Sequence, residues 1–262
     1  ILASAQSAPK CPEEIASPRC GVAYGSTEGS IGNQTEYIGK MLLGRTLEGI
    51  PASWYLKCMS HTCAGNISIL FQARGPFIAS CTACVSGSQA IGFGYEAIRS
   101  GKAEIMIAGG ADEVDFLSAA VFDLMMATSS TFNDRPGESP RPFDSKRDGL
   151  VVAEGAATLI LEEYERARKR GAPILGEVLG FWTNGSGVHI TNSDARSMEE
   201  CLCGALKEAG RNPEEVEHVN AHATATSHGD ELEAIVTHND NGPKDPDTSN
   251  KRNMGHTKGA CG

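Results

Sequence analysis

The sequence lacks the features of several protein classes. It has no basic excess: its 262 residues have a formal net charge of −10, so we expect no nucleic-acid surface. No apolar run approaches the ~20 residues that a membrane-spanning helix needs, so we expect no membrane partner. No repeat period or disorder-like composition is present. The first residues lack the basic start and long apolar stretch of a signal peptide, and we expect a cytoplasmic location.

The cysteines lack a pairing pattern. Nine cysteines at irregular spacing are typical of reduced thiols and not of a disulfide framework. Cys81 and Cys84 form a Cys-x-x-Cys pair, but no second pair completes a structural zinc site, so we expect no metal. A thiol redox or metal protein built on this pair is a separate hypothesis, which a metal analysis would test.

The apolar residues, 40% of the chain, suffice for a sizeable core and fall in short runs separated by helix-like stretches. This alternation predicts an α/β fold, in which sites lie at the carboxyl ends of strands. Ser197 and Glu200 have the spacing of a capping box, which predicts a helix that ends near Gly210. The predicted strands cover residues 21–25, 76–80, 103–108, 155–161, 174–181 and 216–221.

Cys84 lies in a cluster of small residues between a predicted strand and a predicted helix. A cysteine in that position is at the positive end of a helix dipole, which favours the thiolate. Small neighbours let backbone N–H groups approach an oxyanion formed when the sulfur attacks a carbonyl. The sequence therefore indicates a nucleophile, with a buried structural cysteine as the alternative.

Two further segments have a distinct composition. Residues 114–127 are helix-like and rich in methionine and aromatics, which indicates core packing or the lining of an apolar acyl tunnel. Residues 129–149 are polar and contain prolines, which predicts an ordered loop. Charges of alternating sign in that loop (Arg141, Asp144, Arg147 and Asp148) predict ion pairs that fix its conformation and not a catalytic role.

Three separated stretches together resemble the β-ketoacyl-acyl carrier protein synthases, the condensing enzymes of fatty-acid and polyketide synthesis. The segment 141–172 is also similar to the middle of that family. The three stretches are Thr82–Gly87 (TACVSG); Val219–Thr226 (VNAHATAT) followed by Gly229, Asp230 and Glu233; and Lys251 followed by Gly255-His256 and Gly259–Gly262.

The resemblance implies a thiolase-like fold, layered α/β/α/β/α. It places an N-terminal half at residues 1–150, containing Cys84, and an incomplete C-terminal half at residues 151–262, containing His222, Lys251 and His256. By comparison with the family, parts of the first and last elements are expected to be missing.

The resemblance also implies the chemistry. Cys84 would accept an acyl group from a carrier thioester. His222 and His256 would bind the thioester carbonyl of the malonyl group and stabilise the enolate formed as carbon dioxide leaves. Lys251 with Glu233 would organise the histidine site. In the same pattern, Thr224 and Thr226 would hydrogen-bond the pantetheine arm.

The implied partners are an acyl carrier protein, loaded with acyl or malonyl groups, and a second copy of the chain in a homodimer. No cofactor is expected on the chain itself, because the 4′-phosphopantetheine belongs to the carrier protein. The alternative is a non-catalytic partner subunit like a chain-length factor, or a heterodimer with one. Such factors lack the nucleophilic cysteine, so Cys84 argues against this alternative. Two departures from the family pattern keep it open: Ala223 stands where the family has glycine, and Lys258 stands where an apolar residue is expected.

Overall fold

The computed structural model describes residues 2–3, 12–188 and 194–239. The strands are β1 (Leu2–Ala3), β2 (Cys20–Gly25), β3 (Phe77–Ser80), β4 (Ile105–Asp112), β5 (Gly155–Glu162) and β6 (Ile174–Gly176). The helices are α1 (Pro12–Ile15), α2 (Ile31–Gly44), α3 (Ala52–Lys57), α4 (Thr62–Phe71), α5 (Ser86–Arg99), α6 (Phe116–Leu124), α7 (Tyr164–Lys169), α8 (Ala195–Ala209) and α9 (Ser227–Asn239). None of the helices in these ranges has the length and apolar character that a membrane crossing requires.

The chain divides into two compact units. Of the described residues, unit 1 comprises those within 1–117 and 154–178, and unit 2 comprises those within 118–153 and 179–262. These units are defined by packing, whereas the halves 1–150 and 151–262 are those that the family resemblance implies. The boundary near residue 150 stays a prediction.

Unit 1 is built on a six-stranded mixed sheet of order β3-β2-β4-β5-β1-β6. β3, β2 and β4 run parallel, with Val22 opposite Phe77 and Ile107. β5 is antiparallel to β4, with Ile107 opposite Ile160. The parallel strands are joined by helical connections, which confirms the predicted α/β class.

Both faces of β2 and β4 are buried. Alternate side chains point to opposite faces of a strand, and helices cover each face of a parallel sheet. One core comprises Cys20, Val22, Tyr24, Ile105, Ile107 and Ile160 with Ala64 of α4 and Ala73. The other comprises Ala23, Met106, Ala108 and Leu161 with Ala90, Ala97 of α5 and Ala103. The helix α5, which follows the predicted nucleophile, therefore packs directly on the sheet.

Unit 2 contains α8, α9 and long ordered loops. The predicted ion pairs in the 129–149 loop are confirmed. Arg141 Nη2 lies 3.1 Å from Asp144 Oδ2, and Arg141 Nη1 lies 3.6 Å from Glu138 Oε2. Arg147 pairs outside the loop, with Asp230 of α9 at 3.6 Å. The loop is thus fixed both internally and against the helix.

Four local predictions differ from the structure. The strand predicted at 174–181 is limited to Ile174–Gly176. α8 is capped by Asp194, whose carboxylate accepts a hydrogen bond from Ser197 N at 2.8 Å, so Ser197 lies inside the helix and is not its cap. β4 continues through Gly109 and Gly110, because the antiparallel partner β5 pairs along that whole stretch. In the described residues no strand runs along 216–221. Val219 makes a single bridge there, and one bridge is not a strand, because a strand is paired along its length.

Candidate active site

Cys84 lies in the turn between β3 and α5, and its side chain is exposed. Ala83, immediately before it, has φ of 51°, in the left-handed region that residues with a Cβ rarely adopt. A backbone held in such a conformation is a feature of nucleophile turns between a strand and a helix. The exposure of Cys84 contradicts the alternative of a buried structural cysteine.

The hydroxyl of Ser86 holds this turn in place. Its Oγ accepts a hydrogen bond from Thr82 N at 2.8 Å and donates one to Ala83 O at 2.6 Å. The carbonyl of Ser86 in turn accepts a hydrogen bond from Ser80 Oγ at 2.7 Å. Ser80 and Ser86 are both buried, so the hydrogen bond between them is shielded from water. Together these hydrogen bonds stabilise the strained backbone beside Cys84.

Glycines let the start of α5 approach the sheet closely. A Cβ built at Gly25, the last residue of β2, would lie 2.3 Å from the carbonyl carbon of Ser86. A Cβ at Gly110 would lie 3.0 Å from the Cα of Gly87. The helix N-terminus therefore sits directly on the carboxyl ends of β2 and β4, with its N–H dipoles beside the cysteine turn.

Two other cysteines differ from Cys84. Cys20 is fully buried in β2, and this burial raises the pKa of its thiol to about 11, although Arg166 acts in the opposite direction. Cys81 donates a hydrogen bond from its thiol to Thr27 O at 3.0 Å. In the part of the chain that the structure describes, no three His, Cys, Asp or Glu residues are grouped as metal ligands. The expectation of no metal stays a prediction for the whole chain.

His222 lies in unit 2, in the loop that precedes α9, and is exposed. The carboxylate of Glu233, on α9, accepts hydrogen bonds from His222 N at 2.6 Å and from Ala223 N at 2.8 Å. Ala223 has φ of 53°, so the residue at the position where the resembled family has glycine is held in a left-handed conformation. Glu233 thus fixes the backbone at the predicted catalytic histidine.

The two predicted substrate-binding threonines lie side by side. The hydroxyls of Thr224 and Thr226 are 2.9 Å apart and share a hydrogen bond. Thr226 Oγ also accepts a hydrogen bond from Gly229 N at 3.3 Å. Between them, Ala225 is buried with φ of 62°. The left-handed backbone at Ala225 brings the two hydroxyls to one side of the loop.

Asp230 belongs to the quoted histidine motif but was assigned no role from the sequence. Its side chain is 1% exposed, and its carboxylate accepts hydrogen bonds from Ala225 N at 3.0 Å and Phe143 N at 2.7 Å. A buried carboxylate needs such partners, because an unpaired charge in the interior is costly. The only sequence signal was its place in the Gly229-Asp230 pair that follows the histidine stretch.

Asp148 stabilises the 129–149 loop, of which it is itself a part. Its carboxylate accepts hydrogen bonds from Ser130 N at 3.0 Å, Thr131 N at 2.8 Å and Thr131 Oγ at 2.7 Å. Desolvation acts to raise the pKa of Asp148, but hydrogen bonds from Ser129, Thr131 and the backbone outweigh it and lower the pKa to about 2. Asp148 is therefore ionised in the folded chain at neutral pH.

The structure brings together His222, Thr224, Thr226 and Glu233 in unit 2. Cys84 belongs to unit 1. Lys251 and His256, together with Lys258, lie outside the described residues. The roles predicted for all of these residues stay predictions.

Comparisons with known proteins agree in the family that they find. Residues 5–167 match the family described as Beta-ketoacyl synthase, N-terminal domain, and residues 175–262 match its C-terminal domain. A mitochondrial 3-oxoacyl-[acyl-carrier-protein] synthase of Arabidopsis thaliana is 37% identical over 225 residues, covering 85% of this chain and 49% of that protein. The chain thus spans about half the length of that relative.

Two solved structures have similar folds. A beta-ketoacyl synthase from Burkholderia phymatum matches with a TM-score of 0.83 and 45% identity, covering 87% of this chain and 55% of that one. A ketosynthase in complex with its type II polyketide acyl carrier protein matches with a TM-score of 0.78 and 30% identity, covering 86% and 57%. These likenesses confirm the thiolase-like α/β fold class.

Proposed function

Because this chain belongs to the beta-ketoacyl synthase family, we propose that it contains acyl-transfer and decarboxylation sites of a 3-oxoacyl-[acyl-carrier-protein] synthase. The observation that supports this most strongly is the strained turn at Ala83, which presents Cys84 to solvent at the start of α5. A buried packing cysteine does not need such a turn. A nucleophile does, because its sulfur must reach a substrate carbonyl.

In the first half-reaction the Cys84 thiolate attacks the carbonyl carbon of an acyl thioester on the carrier protein. A carbon–sulfur bond forms, and the resulting oxyanion accepts a hydrogen bond from the N–H of Cys84. The oxyanion then collapses, the bond to the carrier sulfur breaks, and the carrier thiol leaves with the proton that Cys84 lost. The acyl group is now covalently bound to Cys84.

In the second half-reaction a malonyl thioester binds with its carbonyl oxygen at His222 and, by prediction, His256. The bond to the carboxylate breaks, carbon dioxide leaves, and the electron pair forms an enolate whose oxygen the histidines stabilise. The enolate carbon attacks the acyl carbonyl on Cys84. A carbon–carbon bond forms, the bond to Cys84 breaks, and a 3-oxoacyl carrier protein two carbons longer is released.

The proposed partners follow from this chemistry. Acyl- and malonyl-loaded carrier proteins deliver both substrates on their 4′-phosphopantetheine arms, and the paired hydroxyls of Thr224 and Thr226 are suited to hydrogen-bond such an arm. We assign a homodimer to the chain, with a heterodimer formed with a chain-length factor as the other assembly. Mass measured by light scattering on the chain alone separates the two, because only the homodimer forms without a second polypeptide.

The second half-reaction gives a direct test of the function. Malonyl-loaded carrier protein is incubated with the chain, and release of carbon dioxide is measured. We expect release that His222→Ala lowers by on the order of a hundredfold or more, whereas His228→Ala, an exposed histidine on α9, leaves it unchanged. Release that does not depend on His222 contradicts the proposed role.

A further inference from the structure

Arg147 bonds to the loop that contains the predicted catalytic histidine. Its Nε donates a hydrogen bond to Thr226 O at 3.2 Å, and its Nη2 donates one to Ser227 O at 2.6 Å. Its Nη1 donates to Asp144 O at 3.1 Å, in its own loop. One guanidinium therefore connects the backbone of two segments that are about 80 residues apart in the sequence.

The same two segments are joined by backbone hydrogen bonds. Ala225 N donates to Asp230 at 3.0 Å, and Ala225 O accepts from Gly149 N at 3.0 Å. Both backbone groups of this left-handed residue are thus bound, and the carboxylate that binds one of them lies 3.6 Å from Arg147 Nε. A left-handed alanine persists only where its surroundings hold it in place.

From these contacts we propose that Arg147 is a positioning residue for the histidine loop: with Asp230 as its partner, it sets the backbone of residues 222–227 in the conformation that decarboxylation requires. This inference rests on the proposed function and adds to it a residue outside the predicted catalytic set. Arg147 does not touch substrate in this account. It acts through the carbonyls of Thr226 and Ser227.

The physical argument concerns what happens when the guanidinium is removed. Asp230 loses its cationic neighbour, and two carbonyl oxygens lose their donors, so the left-handed backbone at Ala225 is less well held. Neighbouring Ala223 and His222 then sample other conformations. Misplacement of a reacting group by about 1 Å lowers a rate by on the order of a hundredfold.

A merely structural role predicts something else. General destabilisation lowers both half-reactions alike, because both require the folded chain. Loss of positioning lowers kcat chiefly in the half-reaction that uses His222, and there it lowers kcat more than it changes KM. Displacement of Thr224 and Thr226, which would bind the carrier arm in both half-reactions, raises KM of both alike. The two half-reactions therefore discriminate between the two roles.

The test compares Arg147→Met and Arg147→Lys with Arg196→Met, a matched control in which the arginine of an exposed ion pair with Glu200 on α8 is removed. Acyl transfer to the chain is measured by intact mass and malonyl decarboxylation by carbon dioxide release. We expect Arg147→Met to lower kcat of decarboxylation by about tenfold to a hundredfold, with the rate of acyl transfer at saturating carrier protein changed less than about twofold. Arg147→Lys keeps the charge and should recover part of the loss. Arg196→Met should behave like the unmodified chain.

Amide hydrogen exchange tests the proposal without catalysis. In Arg147→Met, the peptide covering 222–227 should exchange at least about tenfold faster, while peptides from β2 and β4 keep their protection. If Arg147→Met unfolds, the double variant Arg147→Met/Asp230→Asn replaces it in the exchange experiment, because it also removes the carboxylate that Arg147 pairs with. Unchanged exchange at 222–227, or equal loss of both half-reactions, overturns the proposal. Absence of both reactions in the unmodified chain refutes the proposed function, whereas the exchange result still decides the role of Arg147 in this loop.

Discussion

The carboxylate of Glu233 accepts a hydrogen bond from the backbone N–H of His222 at 2.6 Å. Its second oxygen accepts from Ala223 N at 2.8 Å, so one side chain on α9 fixes two consecutive peptide groups. A carboxylate accepts such paired N–H groups more strongly than a neutral acceptor does. The position of the predicted catalytic histidine therefore depends on α9 as well as on its own loop.

Replacing Glu233 with glutamine tests this dependence. The amide keeps one acceptor oxygen but turns its NH₂ towards the second backbone N–H, so one of the two hydrogen bonds becomes a donor–donor contact. We expect Glu233→Gln to lower the free energy of unfolding by about 1–3 kcal/mol and to slow malonyl decarboxylation. Chemical denaturation measures the first quantity. Glu231→Gln, at an exposed position on the same helix, is the control, and equal effects of the two variants would argue against the account.

Ala223 should tolerate glycine unusually well. At φ of 53° the alanine Cβ costs about 1–2 kcal/mol, which glycine removes. Glycine also costs about 0.4–1 kcal/mol through the greater freedom of the unfolded chain. We therefore expect Ala223→Gly to leave the free energy of unfolding unchanged or to raise it by up to about 1.6 kcal/mol.

Ala234→Gly, in the interior of α9, is the matched control for Ala223→Gly. It should lower the free energy of unfolding by about 0.5–1 kcal/mol, because a helical alanine gains nothing from glycine. Thermal and denaturant unfolding of both variants measure the difference. An equal loss of stability in the two variants would show that the strain at Ala223 is absent in solution.

Gly25 should not tolerate alanine. The new Cβ would lie 2.3 Å from the carbonyl carbon of Ser86 and 2.4 Å from its oxygen, so α5 must move away from the sheet. We expect Gly25→Ala to lower the free energy of unfolding by about 1–3 kcal/mol and to slow acylation of Cys84. Gly65→Ala in α4 is the control: nothing lies within 4 Å of the added Cβ, and the variant should gain about 0.5–1 kcal/mol. A well-folded Gly25→Ala chain with normal acylation would contradict the close packing.

Asp148 should contribute stability that depends on acid pH. Its pKa of about 2 in the folded chain is below the value of 3.8 for an unperturbed aspartate. The stabilisation is therefore fully present above about pH 4 and is lost as the pH falls from there through about 2. The free energies of unfolding of the chain and of Asp148→Asn should differ by a constant amount at neutral pH and converge towards pH 2. If this difference in the free energy of unfolding does not change with pH, the charge of Asp148 makes no contribution to stability.

Much of unit 1 could be predicted from the sequence, because its strands are short apolar runs and its helices are periodic. The left-handed turn at Ala83 could not. Alanine is disfavoured in that region, and only the tertiary contacts of Ser86 and the close approach at Gly25 stabilise it. The extension of β4 through Gly109 could not be predicted either, because glycine is depleted in strands. Only the pairing with β5 shows that the strand continues there.

The site in unit 2 was only partly predictable, for a different reason. His222, Thr224, Thr226 and Glu233 were found by their resemblance to a family pattern. The contacts of Arg147 and Asp230 join segments that are far apart in the sequence, and a single sequence contains no signal for such pairing. The N-cap of α8 could not be predicted either. Asp194 and Ser197 are both residue types that favour an N-cap, and only the geometry decides between them.

The most direct test of the central claim is the intact mass of the chain after incubation with an acyl-loaded carrier protein, followed by peptide mapping. The account predicts one acyl adduct on Cys84, lost in Cys84→Ser and kept in Cys81→Ser, which removes the exposed thiol three residues earlier in the sequence. An adduct on another cysteine, or no adduct on a chain shown to be folded by circular dichroism, would contradict the assignment of Cys84 as the nucleophile.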